Sequence, residues 1–200
     1  MRFDRKRLET FNKHTFNLDS NYACFDFEDR YSENLLMGLF YGNKILFIGR
    51  NPGFPKVISN SINQFHVQEM NYARVQELYS LQFSSWRLSK YILNMCDHMH
   101  VDFYKSCSFT NLVKYATVDN KQHGIREKII FSKILERQIS LLKPDIIVTM
   151  SSATREVVSA LLLKDVLIID INHPSYRNYS SIQCKLDAAA VLAAVNDGYC

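Results

Sequence analysis

Four short runs dominated by apolar residues mark the chain: KILFIG (44–49), CSFTNLV (107–113), DIIVTM (145–150) and VLIIDI (166–171). They do not alternate apolar with polar positions, so each reads as a strand covered on both faces. Between them the spacing becomes helical. Residues 1–40 read as helical, with RKRLETFNKHTF followed by SENLLMGLFY, where Ser32 is a fitting N-cap. Residues 67–99 carry helical spacing, and Trp86, Leu88, Tyr91, Ile92 and Met95 approximate one apolar face. Residues 126–143 form an amphipathic helix stopped by Pro144. Residues 151–164 form the next helix, and QCKLDAAAVLAAVND closes the chain with another. Strands alternating with helices predict an α/β fold: a three-layer α/β/α sandwich around a central four-stranded, mainly parallel sheet. No repeat, low-complexity tract or internal boundary interrupts it, so residues 1–200 are expected as a single domain with 1–40 as its helical N-terminal part.

Composition narrows the class without choosing a function. Apolar residues make up 47% and charged residues 22%, as in ordinary globular proteins. No run approaches the roughly 20 apolar residues needed to span a bilayer, and the charged N-terminus lacks a secretory core. A cytoplasmic location is expected, or a nuclear one in a eukaryotic source, with no membrane partner. Five cysteines without a C-x-x-C argue against a disulfide framework or a metal cluster, and reduced thiols are expected. His98 and His100 lie two residues apart on a helical stretch and point different ways, so no metal site is expected there. The net charge of +4 permits nucleic-acid binding without demanding it.

Chemistry enters where polar, conformationally restricted segments follow strands. In an open parallel sheet, ligands bind beyond the carboxyl ends of the strands. GRNPG, TNLVK and HPSYRN all follow strands, so the fold brings them to one edge. In the first, Gly49 and Gly53 allow turning and close backbone approach. Asn51 is held extended by Pro52; taken alone, the segment reads better as a simple Asn-Pro-Gly turn. Arg50 suits a phosphate contact or an internal salt bridge. In the second, Asn111 ends an apolar strand. A buried amide needs partners, and it offers a donor and an acceptor to a neighbouring loop or to a nucleobase edge. Lys114 either touches phosphate or is simply solvated, and solvation is the default. In the third, His173 alone reads as an exposed loop histidine, but where three restricted loops converge it can donate a hydrogen bond to developing charge. Ser175 can bond a phosphate, and Arg177 can reach phosphate or insert into a base stack.

These three segments, in this order, resemble the motifs of the uracil-DNA glycosylase superfamily, from about Lys44 to about Asn178. ILERQISLLKPDIIVTMSSAT is similar to that superfamily's helix–Lys-Pro–strand–helix connector. The G-x-N-P-G motif is closest to the mismatch-specific and single-strand-selective monofunctional branches. The resemblance implies a glycosylase without metal or other cofactor that acts on single- or double-stranded DNA, and a monomer is the expected state. By this likeness Asn51 positions the attacking water and His173 stabilises the departing base; these are the expected catalytic residues. Asn111 reads the flipped base, with Phe65 or Phe54 stacking on it and Gly49, Pro52 and Gly53 shaping the pocket. Arg50, Lys114, Ser175, Tyr176 and Arg177 are the expected DNA-binding residues, Arg177 as a wedge into the duplex. The chain departs from the family in lacking the Asp of the fastest branch and the cysteines of the iron–sulfur branches.

The expected reaction is hydrolysis of the N-glycosidic bond of a flipped-out uracil or modified pyrimidine. Repair by base excision and defence against modified phage DNA both fit that chemistry. Two readings from other classes stand beside it. A non-catalytic nucleic-acid-binding module of the same fold predicts binding without abasic sites. An enzyme acting on free nucleosides predicts no need for a polymer.

Overall fold

The computed structural model describes residues 3–18, 36–50, 71–114, 125–161, 163, 166–174 and 180–197. The elements are α1 (Arg5–Leu18), β1 (Leu39–Phe40), β2 (Ile45–Gly49), α2 (Tyr72–Phe83), α3 (Arg87–His98), α4 (Phe103–Ser106), β3 (Cys107–Asn111), α5 (Ile125–Leu142), β4 (Ile146–Thr149), α6 (Ser152–Ala160), β5 (Leu167–Asp170) and α7 (Ser181–Asp197). The sheet has five strands in the order β1-β3-β2-β4-β5. β2, β3, β4 and β5 run parallel, and β1 lies antiparallel on β3.

The four expected strands are present, and the fifth corrects the reading of residues 1–40 as helical throughout. Gly38 has φ +119°, a backbone state that L side chains rarely adopt. A Cβ there would stand 2.7 Å from the Phe109 carbonyl oxygen. That glycine lets the chain turn into the sheet edge, and Leu39 pairs with Phe109. The expectation of strands covered on both faces holds for β2, β3 and β4, whose residues are all buried. It fails for β5, an edge strand with both ends exposed.

Side chains alternate across the sheet, so Phe47 and Phe109 share one face with Gly49 and Asn111. There an aromatic cluster forms the core. Phe83 of α2 stacks on Phe103 of α4 at 5.1 Å and meets Phe109 at 5.3 Å. Burying each such side chain contributes about 1.5–3 kcal/mol. α3 and α7 pack together on this layer, where Tyr91 donates to the Asp187 carboxylate and Gln183 Nε2 also donates to it at 2.7 Å. The expected apolar face of α3 is nearly right: Tyr91, Ile92, Met95 and Cys96 are buried, with Trp86 and Leu88 at its margin. α1 and α5 cover the opposite face. No helix among the described residues is long and apolar enough to cross a membrane.

The connection from β2 leads to β3 on one side, and the chain then returns past β2 to β4. The carboxyl end of β2 is therefore the switch point of the sheet, where such folds bind ligands.

Candidate functional site at the carboxyl edge of the sheet

β2 ends on Gly49 directly opposite Asn111, the last residue of β3. Pairing continues past both strand ends: Leu112 N donates to the Gly49 carbonyl, and Val113 N to that of Arg50, each at 2.9 Å. Gly49 has no positive φ, so turning is not what requires a glycine here. Close approach is. A Cβ on Gly49 would run into Asn111 Oδ1. The amide thus lies across the space that a side chain at 49 would fill.

Asn111 is buried, as expected for an amide ending an apolar strand. Its Nδ2 donates to the Tyr79 hydroxyl across a long 3.4 Å. Among the described residues its Oδ1 is buried without a hydrogen-bond partner. A buried polar atom left unpaired costs about 1–3 kcal/mol. Tyr79 is wholly buried beneath it, and its ring lies 5.2 Å from that of Trp86. Burial pushes the Tyr79 phenol above its usual range, so the hydroxyl keeps its proton.

The end of β5 comes to the same edge. Ile171 N donates to the Thr149 carbonyl at 2.9 Å, and Thr149 Oγ1 donates to the Asp170 carboxylate. Arg155 of α6 holds the other oxygen of Asp170 at 3.0 Å. His173 follows three residues later, half-buried before Pro174. Burial, and then the nearby Arg50 cation, hold the His173 imidazole below its usual pKa. Its neutral form is favoured at neutral pH. Arg50 therefore stands close enough to His173 for its charge to be felt. The structure thus brings together two pairs of expected residues: Gly49 with Asn111, and Arg50 with His173.

Lys114 corrects an expectation. It is neither solvated nor placed to touch phosphate; it is fully buried on the other face of the sheet. Its Nζ donates to Thr110 Oγ1 and the Asn111 carbonyl, both at 2.6 Å, and to Gln138 Oε1 at 2.7 Å. Gln138 Nε2 donates in turn to Asn12 Oδ1 at 2.8 Å and to the Met37 carbonyl at 2.9 Å. Burial drives the Lys114 pKa well down. This network ties α1 and α5 to the end of β3 and so fixes the backbone that carries Asn111.

Asn51, Pro52, Gly53, Phe54, Phe65, Ser175, Tyr176 and Arg177 lie outside the described residues. Gln138, Asn12 and Tyr79 escaped the sequence reading. The first two could have been found, because each is a polar residue in an otherwise apolar helical stripe: Phe131, Ile134, Leu135, Gln138, Leu142 and Leu8, Asn12, Phe16. Three of the five cysteines, Cys96, Cys107 and Cys184, are buried free thiols. An open cavity of about 520 Å³ between α3 and α4 adjoins the opposite end of β3 and contains none of the expected residues.

No curated protein matches the chain at a significant level. The family model described as the Uracil DNA glycosylase superfamily matches residues 40–194, a span that contains β2 to β5 and all three loop motifs. By that match the chain belongs to the uracil-DNA glycosylase superfamily, whose general activity is that of DNA glycosylases.

Proposed function

We propose that the chain is a monofunctional DNA glycosylase that removes a flipped-out uracil or modified pyrimidine from DNA, working as one domain over residues 1–200. The observation that carries this reading is the buried carbonyl of Asn111 beside Gly49, which has no partner among the described residues. An acceptor left unpaired in the core is a standing demand for a donor, and an amide offers both to the edge of a base.

In the proposed reaction the base first leaves the stack. Arg50, Ser175, Tyr176 and Arg177 hold phosphates or the duplex, and Phe65 or Phe54 stacks on the base. The bond between the sugar C1′ and the base nitrogen breaks with its electron pair going to the base. His173, held neutral by burial and Arg50, donates a hydrogen bond to the anion that develops. Asn51 holds the water that adds to the oxocarbenium-like sugar. The water's proton ends on the base anion, and the products are a neutral free base and an abasic site. Repair and defence against modified phage DNA differ only in which base is taken.

Mass analysis of bases released from oligonucleotides carrying uracil, mismatched thymine, or hydroxymethylated or glucosylated cytosine tests the reading. One free base and a matching abasic site are expected, with Asn51→Ala lowering release far more than DNA binding. Tight DNA binding without any abasic product would instead support the non-catalytic module.

A further inference from the structure

Resting on the glycosylase reading, the arrangement around Asn111 bears on which bases the site accepts. The Tyr79 hydroxyl has one hydrogen-bond partner among the described residues, the Asn111 amide. In the observed orientation the hydroxyl accepts from Nδ2, and among the described residues Asn111 Oδ1 has no partner and the phenolic proton has no acceptor. With the amide turned over, the hydroxyl donates to Oδ1, and the nitrogen becomes the group awaiting a partner. Each orientation keeps one bond to Tyr79 and leaves buried polarity for a ligand to satisfy. Among the described residues no other polar group is bonded to the amide side chain. On the Gly49 side the described groups are apolar: a Cβ on Gly49 would meet the Asn111 amide and stand 3.6 Å from Leu88 Cδ2.

The two orientations suit different bases. A pyrimidine with a 4-keto group presents an acceptor at O4 and a donor at N3–H. A pyrimidine with a 4-amino group presents the reverse. A carboxylate, or an aromatic hydroxyl with another fixed partner, would commit the site to one polarity. A hydroxyl free to donate or accept does not.

We infer that Tyr79 is a specificity-determining residue acting through Asn111: its buried two-way hydroxyl lets the amide turn over, so that one site takes both the 4-keto and the 4-amino edge of a pyrimidine. Discrimination then falls on another part of the base, the substituent at ring carbon 5. An enzyme indifferent to the edge must reject plain cytosine by that substituent, because plain cytosine is everywhere in DNA.

Oligonucleotides in matched pairs test this, each pair sharing a hydrogen, methyl or hydroxymethyl at ring carbon 5 and differing only in keto or amino at carbon 4. For the best-accepted substituent, the wild-type protein should release both members with kcat/KM within about ten-fold, the reach of one ordinary hydrogen bond. Tyr79→Phe, checked for folding by its melting curve, should slow both members by about five-fold and leave their ratio unchanged. Asn111→Asp, which can only accept when ionised, should shift the ratio about ten-fold or more towards the 4-amino member. A wild-type preference above about a hundred-fold for one edge, or a Tyr79→Phe effect on one member only or on neither, overturns the inference and leaves the glycosylase reading standing. Release of neither member for any substituent overturns both.

Discussion

Two buried polar clusters lie back to back across the end of β3. On one face Lys114, Thr110, Gln138 and Asn12 form a closed set: the ammonium has three acceptors, Thr110 Oγ1 donates onward to the Met37 carbonyl at 3.0 Å, and both Gln138 groups are used. On the other face the Asn111 side chain has, among the described residues, one long bond to Tyr79 and an oxygen with no partner. The clusters share a strand, a depth of burial and residue types. They differ in completeness. A saturated network has nothing left to offer a ligand, and its worth is in fixing backbone. An unsaturated one retains a cost that only a ligand can offset. At the end of β3, therefore, it is not burial of polar groups that tells the two faces apart but incompleteness.

Exchanging one residue on each face gives the widest separation. Lys114→Met removes the donor from three buried acceptors, each worth about 1–3 kcal/mol if left unpaired, while burying an apolar chain of similar volume returns part of that. A net loss of about 3 kcal/mol in urea unfolding is expected, with base release per folded molecule within a few-fold of wild type. Asn111→Ala should do the reverse. It removes an unpaired oxygen and one long bond, so stability should move by less than about 1 kcal/mol. Base release should fall roughly ten- to hundred-fold, because the base's own polar edge then goes unpaired. Equal stability losses for the two variants would erase the distinction between the faces.

How far this contrast was legible in the sequence follows from where each signal lies. Asn111 showed itself because a polar residue at the end of an apolar strand is a local anomaly. β2, β3 and β4 showed themselves by unbroken apolar runs, and the helices by their period. Lys114 misled, because a lysine after a strand reads as solvated. Its burial depends on Gln138 and Asn12, which are far off in the chain and meet it only after α1 and α5 pack together. β1 was hidden because Leu39 and Phe40 sit in a stretch whose apolar spacing suits a helix; the one local clue was Gly38. Tyr79 reads as core among Val75, Leu78 and Phe83, and the partner of its hydroxyl is set by tertiary packing alone.

Gly49→Ala probes the open face more gently. The backbone there is ordinary for any residue, and the atom a methyl would meet is the far end of a side chain. The amide can yield, so the cost in stability should be about 1 kcal/mol, at the low end for an overpacked position. The displaced Asn111 can no longer address a base, and base release should drop by about ten-fold. Pairing Gly49→Ala with Asn111→Ala should give less than the sum of the two losses in kcal/mol, since both act through one amide. Additive losses would mean that Gly49 serves the site in some other way.

The smallest effect concerns His173 and works through protons. Its folded-state pKa lies below the ordinary 6.5, first through burial and then through the Arg50 cation. The unfolded chain therefore takes up this proton more readily than the folded one. Stability from this residue is whole above about pH 6.5 and is lost as pH falls towards and through the lower folded-state value. Arg50→Met removes the second cause and leaves the first. In an NMR titration of the imidazole, the His173 midpoint should rise but stay below the ordinary value, and the loss of stability between pH 7 and pH 5 should shrink. A midpoint unmoved by the substitution would separate Arg50 from His173, and the site would then join β2 to β3 without reaching β5.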